Sequence, residues 1–230
     1  MTVRNMGDGK SAAESSKMHS IEDLIAEQPN FHAWPDGRPA NWSVANDVLR
    51  FIHQSIVPGM QTLETGSGRT TVVFALAGAH HTCISPNREE TERVRHYLAR
   101  HGIKDTIRFI HDSSDVVLPA GKDIPEVLDF VLIDGAHRFP MAVIDWHYSE
   151  RRVRVGGIVA VDDYPMPSVR VLHDFLMGED EWQLTKKFMR TSFFQRVHET
   201  VSVWDWADQN MNKPPSKENN WFRRLWKRPD

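Results

Sequence analysis

Asp134 and the pair Asp162-Asp163 each stand at the end of an apolar run, and His137 follows Asp134 by three positions. An imidazole titrates near neutral pH and can take a proton as a general base. It can equally ligate a metal or tie down its own loop. Asp134 precedes Gly135 and can accept N–H bonds from its own turn. It also ends Leu128–Ile133, a mostly apolar run of the kind that sits inside a sheet, where ligand sites collect. Asp162 and Asp163 can cap the helix that follows them or face the same site. Asp145 is spaced to orient His137 or a backbone group. A second stretch carries different chemistry. Glu64-Thr65-Gly66-Ser67-Gly68 follows an alternating apolar run and precedes Val72–Ala77. Such a strand, glycine turn and helix aims backbone N–H groups at whatever lies above the sheet edge, which suits a nucleotide-like ligand.

The elements that must position these residues are legible around them. Ser43 can cap a helix over 44–52, with Val44, Val48, Leu49 and Ile52 on one stripe. The first strand is 61–64, and the helix after the glycine turn ends at Gly78. A second strand covers 81–84. A helix then starts either at Ser85, with Pro86 at its first position, or at Asn87 paired with Glu90. The remaining strands are 106–110, 128–133 and 158–161, the last entered through a turn at Gly156-Gly157. Helices follow over 140–152 and around Val169–Leu176. Two closing strand-like runs, 182–188 and 191–197, have little chain between them and read as a closing antiparallel pair. Regular alternation of strand and helix predicts an α/β, doubly wound sheet with helices on both faces. Strand direction alone then brings Glu64, Ser85, Asp112, Asp134, Asp162 and Asp163 to the carboxyl edge of the sheet.

The chain has 230 residues, a net charge of -3 and a charged fraction of 26%, which gives no bulk attraction to nucleic acid. The single cysteine, Cys83, excludes an intramolecular disulfide and reads as a small core residue. His111 and His147 read as structural. No apolar run approaches the ~20 residues of a transmembrane helix, and no signal-peptide core is present at the start, so a cytoplasmic protein is expected. Residues 1–20 read as a flexible tail, 21–206 as a single domain with an N-terminal helical cover, and 207–230 as a C-terminal extension. Phe31–Ala40 reads as an aromatic-bearing loop that either covers the core edge or forms a lid. Trp221–Arg228 interleaves basic and aromatic residues that could touch membrane or RNA, and packing on the domain or a subunit is its simplest role. Assembly into a homo-oligomer stays open.

Residues 42–197 resemble the class I S-adenosylmethionine-dependent methyltransferases. Leu63-Glu64-Thr65-Gly66-Ser67-Gly68 is similar to the family's first motif, and the closing antiparallel pair is similar to its reversed last strand. The resemblance implies a Rossmann-like, mostly parallel sheet with S-adenosyl-L-methionine as cofactor. It places the methionine part over Glu64, Gly66, Ser67 and Gly68, and the adenine beside Asp112 or Ser113. Ile133-Asp134-Gly135-Ala136-His137 with Gly156-Gly157 and Asp162-Asp163 is similar to the small-molecule O-methyltransferases. In the metal-dependent members, an acid and an Asp–Asn pair bind magnesium. Those positions match Asp134, Asp162 and Asp163, with Asp163 in place of Asn, so Mg²⁺ at these three residues is an expectation of the resemblance. His137 and Asp134 are the expected catalytic residues, with Asp134 also bordering the cofactor. One departure stands out. The family's ribose-binding acid is replaced by Ser85, with Asn87 two residues on, and these two are the remaining cofactor-binding expectations. The reading is therefore an O-methyltransferase acting on a small hydroxyl-bearing molecule, with no nucleic-acid partner. A scaffold that kept the fold but lost cofactor binding, and a metal-dependent hydrolase, are the alternatives. A nicotinamide dehydrogenase would want a third glycine where Thr71 stands.

Overall fold

The computed structural model describes residues 19–34, 36–199 and 209–212. The expected tail up to residue 18, Val203–Trp206 and the basic aromatic run Trp221–Arg228 lie outside the described residues. In chain order the elements are α1 (Ile21–Glu27), β1 (His32–Ala33), β2 (Pro39–Ala40), α2 (Asn46–Ser55), β3 (Gln61–Thr65) and α3 (Arg69–Leu76). Next come β4 (His80–Ile84), α4 (Arg88–Arg100), β5 (Ile107–Ile110), α5 (Ser114–Ala120), β6 (Leu128–Ile133) and α6 (Met141–Ser149). The chain continues through β7 (Val153–Val161), α7 (Pro167–Gly178), β8 (Trp182–Lys187) and β9 (Ser192–Arg196).

Seven strands form one sheet in the order β5-β4-β3-β6-β7-β9-β8. The five from β3 to β7 are parallel, and β9 and β8 close the sheet antiparallel. Strand register does the positioning. Thr65 pairs with Ile84 on one side and with Ile133 on the other, Ile133 pairs with Val161, and Ile84 pairs with Ile110. The five parallel strands thus end level, and the residues after them share one edge.

Side chains alternate faces along each strand, so each strand feeds two apolar layers. Phe130, Leu132, Ala160 and Phe193 pack with α2, α3 and α4. Val131, Ile133, Val159, Val161 and Phe194 pack with α5, α6 and α7. Phe74, Phe130, Phe193 and Phe194 are fully buried, each worth roughly 1.5–3 kcal/mol of burial.

Several local expectations change. Ser43 caps nothing: α2 starts at Asn46 from Ala45, with Asp47 in its first turn facing the helix dipole. Asn87, not Ser85, caps α4, its side chain accepting the Glu90 N–H at 3.2 Å. Gly156-Gly157 lies inside a longer β7, where its register against β6 shifts. A Cβ at Gly157 would come within 2.8 Å of the Arg154 carbonyl, so the irregular strand depends on a residue without one. His147 is exposed, and α6 buries Met141, Ala142, Asp145 and Ser149 instead. Part of the aromatic segment read as loop forms the small antiparallel hairpin β1–β2.

Candidate active site

A cavity of about 780 Å³ opens along the carboxyl edge of the parallel strands. The β3–α3 turn forms one wall. Gly66 has φ +96, and a Cβ there would sit 2.4 Å from the Asp134 carbonyl oxygen. The glycine is therefore demanded first by the backbone of the neighbouring β6 loop, rather than by clearance for a ligand. Gly66, Ser67 and Gly68 line the cavity, as expected, and so do Ser85, Asn87 and Ser113.

Glu64 and Asp112 do not line it. Glu64 is buried behind the turn, accepting hydrogen bonds from Thr70 (2.8 Å) and Thr71 and lying 3.1 Å from His81 Nε2. It braces the start of α3. Asp112 is exposed and accepts the Ser113 N–H at 2.7 Å.

Glu90 was legible in the sequence only as a capping partner, yet its nearly buried carboxylate lines the cavity from the first turn of α4. Ser67 Oγ donates to it at 3.3 Å, and His32 Nδ1 is 3.4 Å away. Because Asn87 takes over the capping, the Ser85 hydroxyl stays at the end of β4, accepting the Asn87 N–H at 3.3 Å and lying 3.4 Å from Ser67 Oγ. A carboxylate is thus present beside the end of β4, delivered from the helix one turn later. His32 reaches over from the β1–β2 hairpin, close enough that a Cβ at Gly68 would meet its ring at 3.0 Å. Its ring lies 5.6 Å from that of Trp42, which also lines the cavity.

The other wall holds the acids. Asp134 Oδ1 lies 3.7 Å from His137 Nε2, and His137 Nδ1 lies 3.6 Å from Asp163 Oδ2. The imidazole bridges the two carboxylates. Burial pushes Asp134 up to about 8, while the nearby His137 pulls the other way. The Asp134 carboxylate in turn holds His137 above the usual imidazole range. His137 Nε2 is buried and has no hydrogen-bond partner. The Ser168 hydroxyl bonds the His137 carbonyl at 2.5 Å and fixes the loop. Asp162 is raised by burial, against a hydrogen bond from Thr191. Asp163 adopts the left-handed conformation (φ +53), which an aspartate tolerates better than most residues. Its carboxylate is held by Arg190.

Asp134, Asp162 and Asp163 converge as expected, but they do not form a chelating group. Among the described residues, only His19, Glu27 and His101 place three ligand atoms within 4.8 Å of one another. They lie at the other end of α4 from Glu90. At the acid wall the donor oxygens already face Thr191, Arg190 and His137, and this arrangement does not fit a divalent cation. Asp145 is buried on α6 near Gly135, whose notional Cβ would meet Asp145 Oδ2 at 3.4 Å.

A protein-family profile described as a methyltransferase domain matches residues 63–164, from the first glycine-turn strand to just beyond the acidic pair. No curated protein matches the chain in sequence. Solved structures do resemble it. The O-methyltransferase TomG from Streptomyces achromogenes, in complex with SAM, has 18% identity and a TM-score of 0.57 over 69% of this chain and 83% of its own. An rRNA methylase from Streptococcus thermophilus has 12% identity and a TM-score of 0.54 over 66% and 96%. The SAH-bound methyltransferase PaMTH1 from Podospora anserina has 12% identity and a TM-score of 0.55 over 72% and 83%. With its reversed last strand and its level carboxyl edge, the chain has the fold of the class I S-adenosylmethionine-dependent methyltransferases.

Proposed function

We propose that this protein is an S-adenosylmethionine-dependent O-methyltransferase acting on the hydroxyl of a small molecule. The observation that carries the reading is the unpartnered Nε2 of His137, buried at the wall of a cavity whose other wall is the glycine turn. When bound, the donor supplies an activated methyl group and a neutral leaving group. The residues present fit it. The cavity is in the range of small-ligand sites, and the Ser67 and Ser85 side chains and the Glu90 carboxylate line it together. In this reading Gly66, Ser67 and Gly68 lie under the methionine part and Ser113 borders the adenine. Glu90, with Ser85 and Asn87, meets the ribose hydroxyls: an acceptor-only carboxylate suits two donors. Glu64 acts from behind the turn.

His137 takes the proton from the acceptor oxygen at Nε2. The resulting imidazolium sits between Asp134 and Asp163, which stabilise it as it forms. Asp163 lies on the Nδ1 side of the ring, which leaves Nε2, beside Asp134, as the nitrogen that takes the proton. Trp42, Met141, Met166 and Phe188 add apolar lining for the acceptor.

Calorimetric titration with S-adenosylhomocysteine, followed by methyl transfer to pooled hydroxylated metabolites, tests the reading. The parent binds the ligand and methylates a small molecule. Glu90→Gln weakens binding about tenfold, the loss of one hydrogen-bonding charge. His137→Gln keeps binding and loses about 10²-fold or more in turnover. No binding by the parent would leave a scaffold, and transfer confined to an RNA or peptide pool would overturn the choice of acceptor.

A further inference from the structure

The turn between β8 and β9 reaches back over the end of β7 and takes hold of both acids there. Thr191 Oγ1 donates to Asp162 Oδ1, and the Arg190 guanidinium presents Nε and Nη2 to Asp163 Oδ1. The Arg190 carbonyl accepts the Tyr164 N–H at 3.1 Å, which ties the same turn to the chain just after the acids. Asp163 is nearly buried, and its other oxygen faces His137.

We propose that Arg190 is a built-in cation that occupies the place of a divalent metal at this acid wall. It neutralises Asp163, holds it against His137 Nδ1, and keeps divalent cations out. Adjacent carboxylates in a poorly solvated cleft repel one another unless a positive charge lies between or beside them. A magnesium ion would do this with near-octahedral oxygen ligands at about 2.0–2.1 Å. Here the three acids do not gather their ligand atoms closely, Asp162 and Asp163 are already engaged, and the half-exposed guanidinium supplies an always-charged donor pair to Asp163 Oδ1 in its stead. A metal entering this wall would have to displace Arg190 and Thr191 and would meet the guanidinium charge. Arg190 is thus a positioning residue, acting through Asp163 on His137. The inference rests on the cavity assigned above but not on methyl transfer, because its test needs neither donor nor acceptor.

The test is Mn²⁺ binding followed by electron paramagnetic resonance, in a Glu27→Gln background that disables the His19 group. The otherwise parental protein is expected to bind no stoichiometric Mn²⁺ up to about 1 mM. Arg190→Gln, checked for folding by its thermal transition, should gain a single Mn²⁺ site, and adding Asp162→Asn should remove it. Arg190→Lys, which keeps the charge, should stay without one. Stoichiometric Mn²⁺ binding by the otherwise parental protein that Asp162→Asn or Asp163→Asn abolishes would overturn the proposal, whether or not Arg190→Gln folds. So would a folded Arg190→Gln that gains no site. The Mn²⁺ result stands even if the parent binds no S-adenosylhomocysteine, so this inference and the proposed function fail separately.

Discussion

Asp145 is buried on α6, and neither carboxylate oxygen finds a hydrogen-bond partner in ordinary geometry. Burial pushes its acid constant up, with the Ser114 and Thr65 hydroxyls partly countering it. The folded protein therefore holds a proton that the unfolded chain releases first. The group's contribution to stability is full below the unfolded value and is lost as pH rises through the folded one. Asp145→Asn removes that loss. We expect it to melt about 2–4 °C higher than the parent at about pH 8, corresponding to roughly 1 kcal/mol, with the gain closing towards about pH 4. Scanning calorimetry across that range decides it, and a gain that does not shrink in acid would contradict the assignment. At this scale the sequence shows which residue types are present, and it is silent on which way each side chain turns. Glu64 and Glu90 illustrate the gap. One ends a strand and turns inward to Thr70 and Thr71; the other reads as a helix-capping residue and turns into the cavity. Rotamer choice and the competition between Ser85 and Asn87 for the cap separate them, and neither leaves a periodic signal.

Strands announce themselves because apolar runs ending in polar residues leave few other options, so the five parallel strands and the reversed pair are legible before any coordinates. Their mutual register is not, and the clamp on Asp162 and Asp163 depends on it: Val161 must face Ser192 for Arg190 and Thr191 to arrive beside the acids. Pairings that distant in sequence are set by packing, which a local pattern does not encode. The β3–α3 turn shows the converse. Its glycines are visible, but the reason for Gly66 lies in the chain of another strand. Gly66→Ala puts a Cβ into the Asp134 carbonyl at a left-handed backbone position. We expect about 2 kcal/mol or more of destabilisation in denaturant unfolding, even with no ligand present. A variant as stable as the parent would show that the turn and the β6 loop separate easily.

Across the whole molecule the balance of charge bears on the acceptor. One of the structures that resembles this chain is an rRNA methylase, yet the net charge here is -3. Proteins that hold nucleic acid through phosphate contacts lose affinity steeply with salt. We expect fluorescence anisotropy with a labelled RNA hairpin to show no binding at about 50 mM salt, and hence nothing to lose at about 200 mM. Binding at the lower concentration that disappears at the higher would favour an RNA acceptor. No helix among the described residues is long and apolar enough to cross a membrane.

The placement of the closing hairpin has a consequence for how the protein is made. Every residue assigned to the donor, from Gly66 through Ser85 and Glu90 to Ser113, leaves the ribosome before Asp134, while Arg190 and Thr191, which hold Asp163 and Asp162, come at the β8–β9 turn, after α7. β9 then lies between β7 and β8, so the sheet cannot be completed by simply adding strands outward in order of synthesis. A nascent chain exposed only through α7 would present the donor's residues beside an acid wall with no guanidinium on it. Competence for transfer would come late in synthesis, with the closing of a single hairpin.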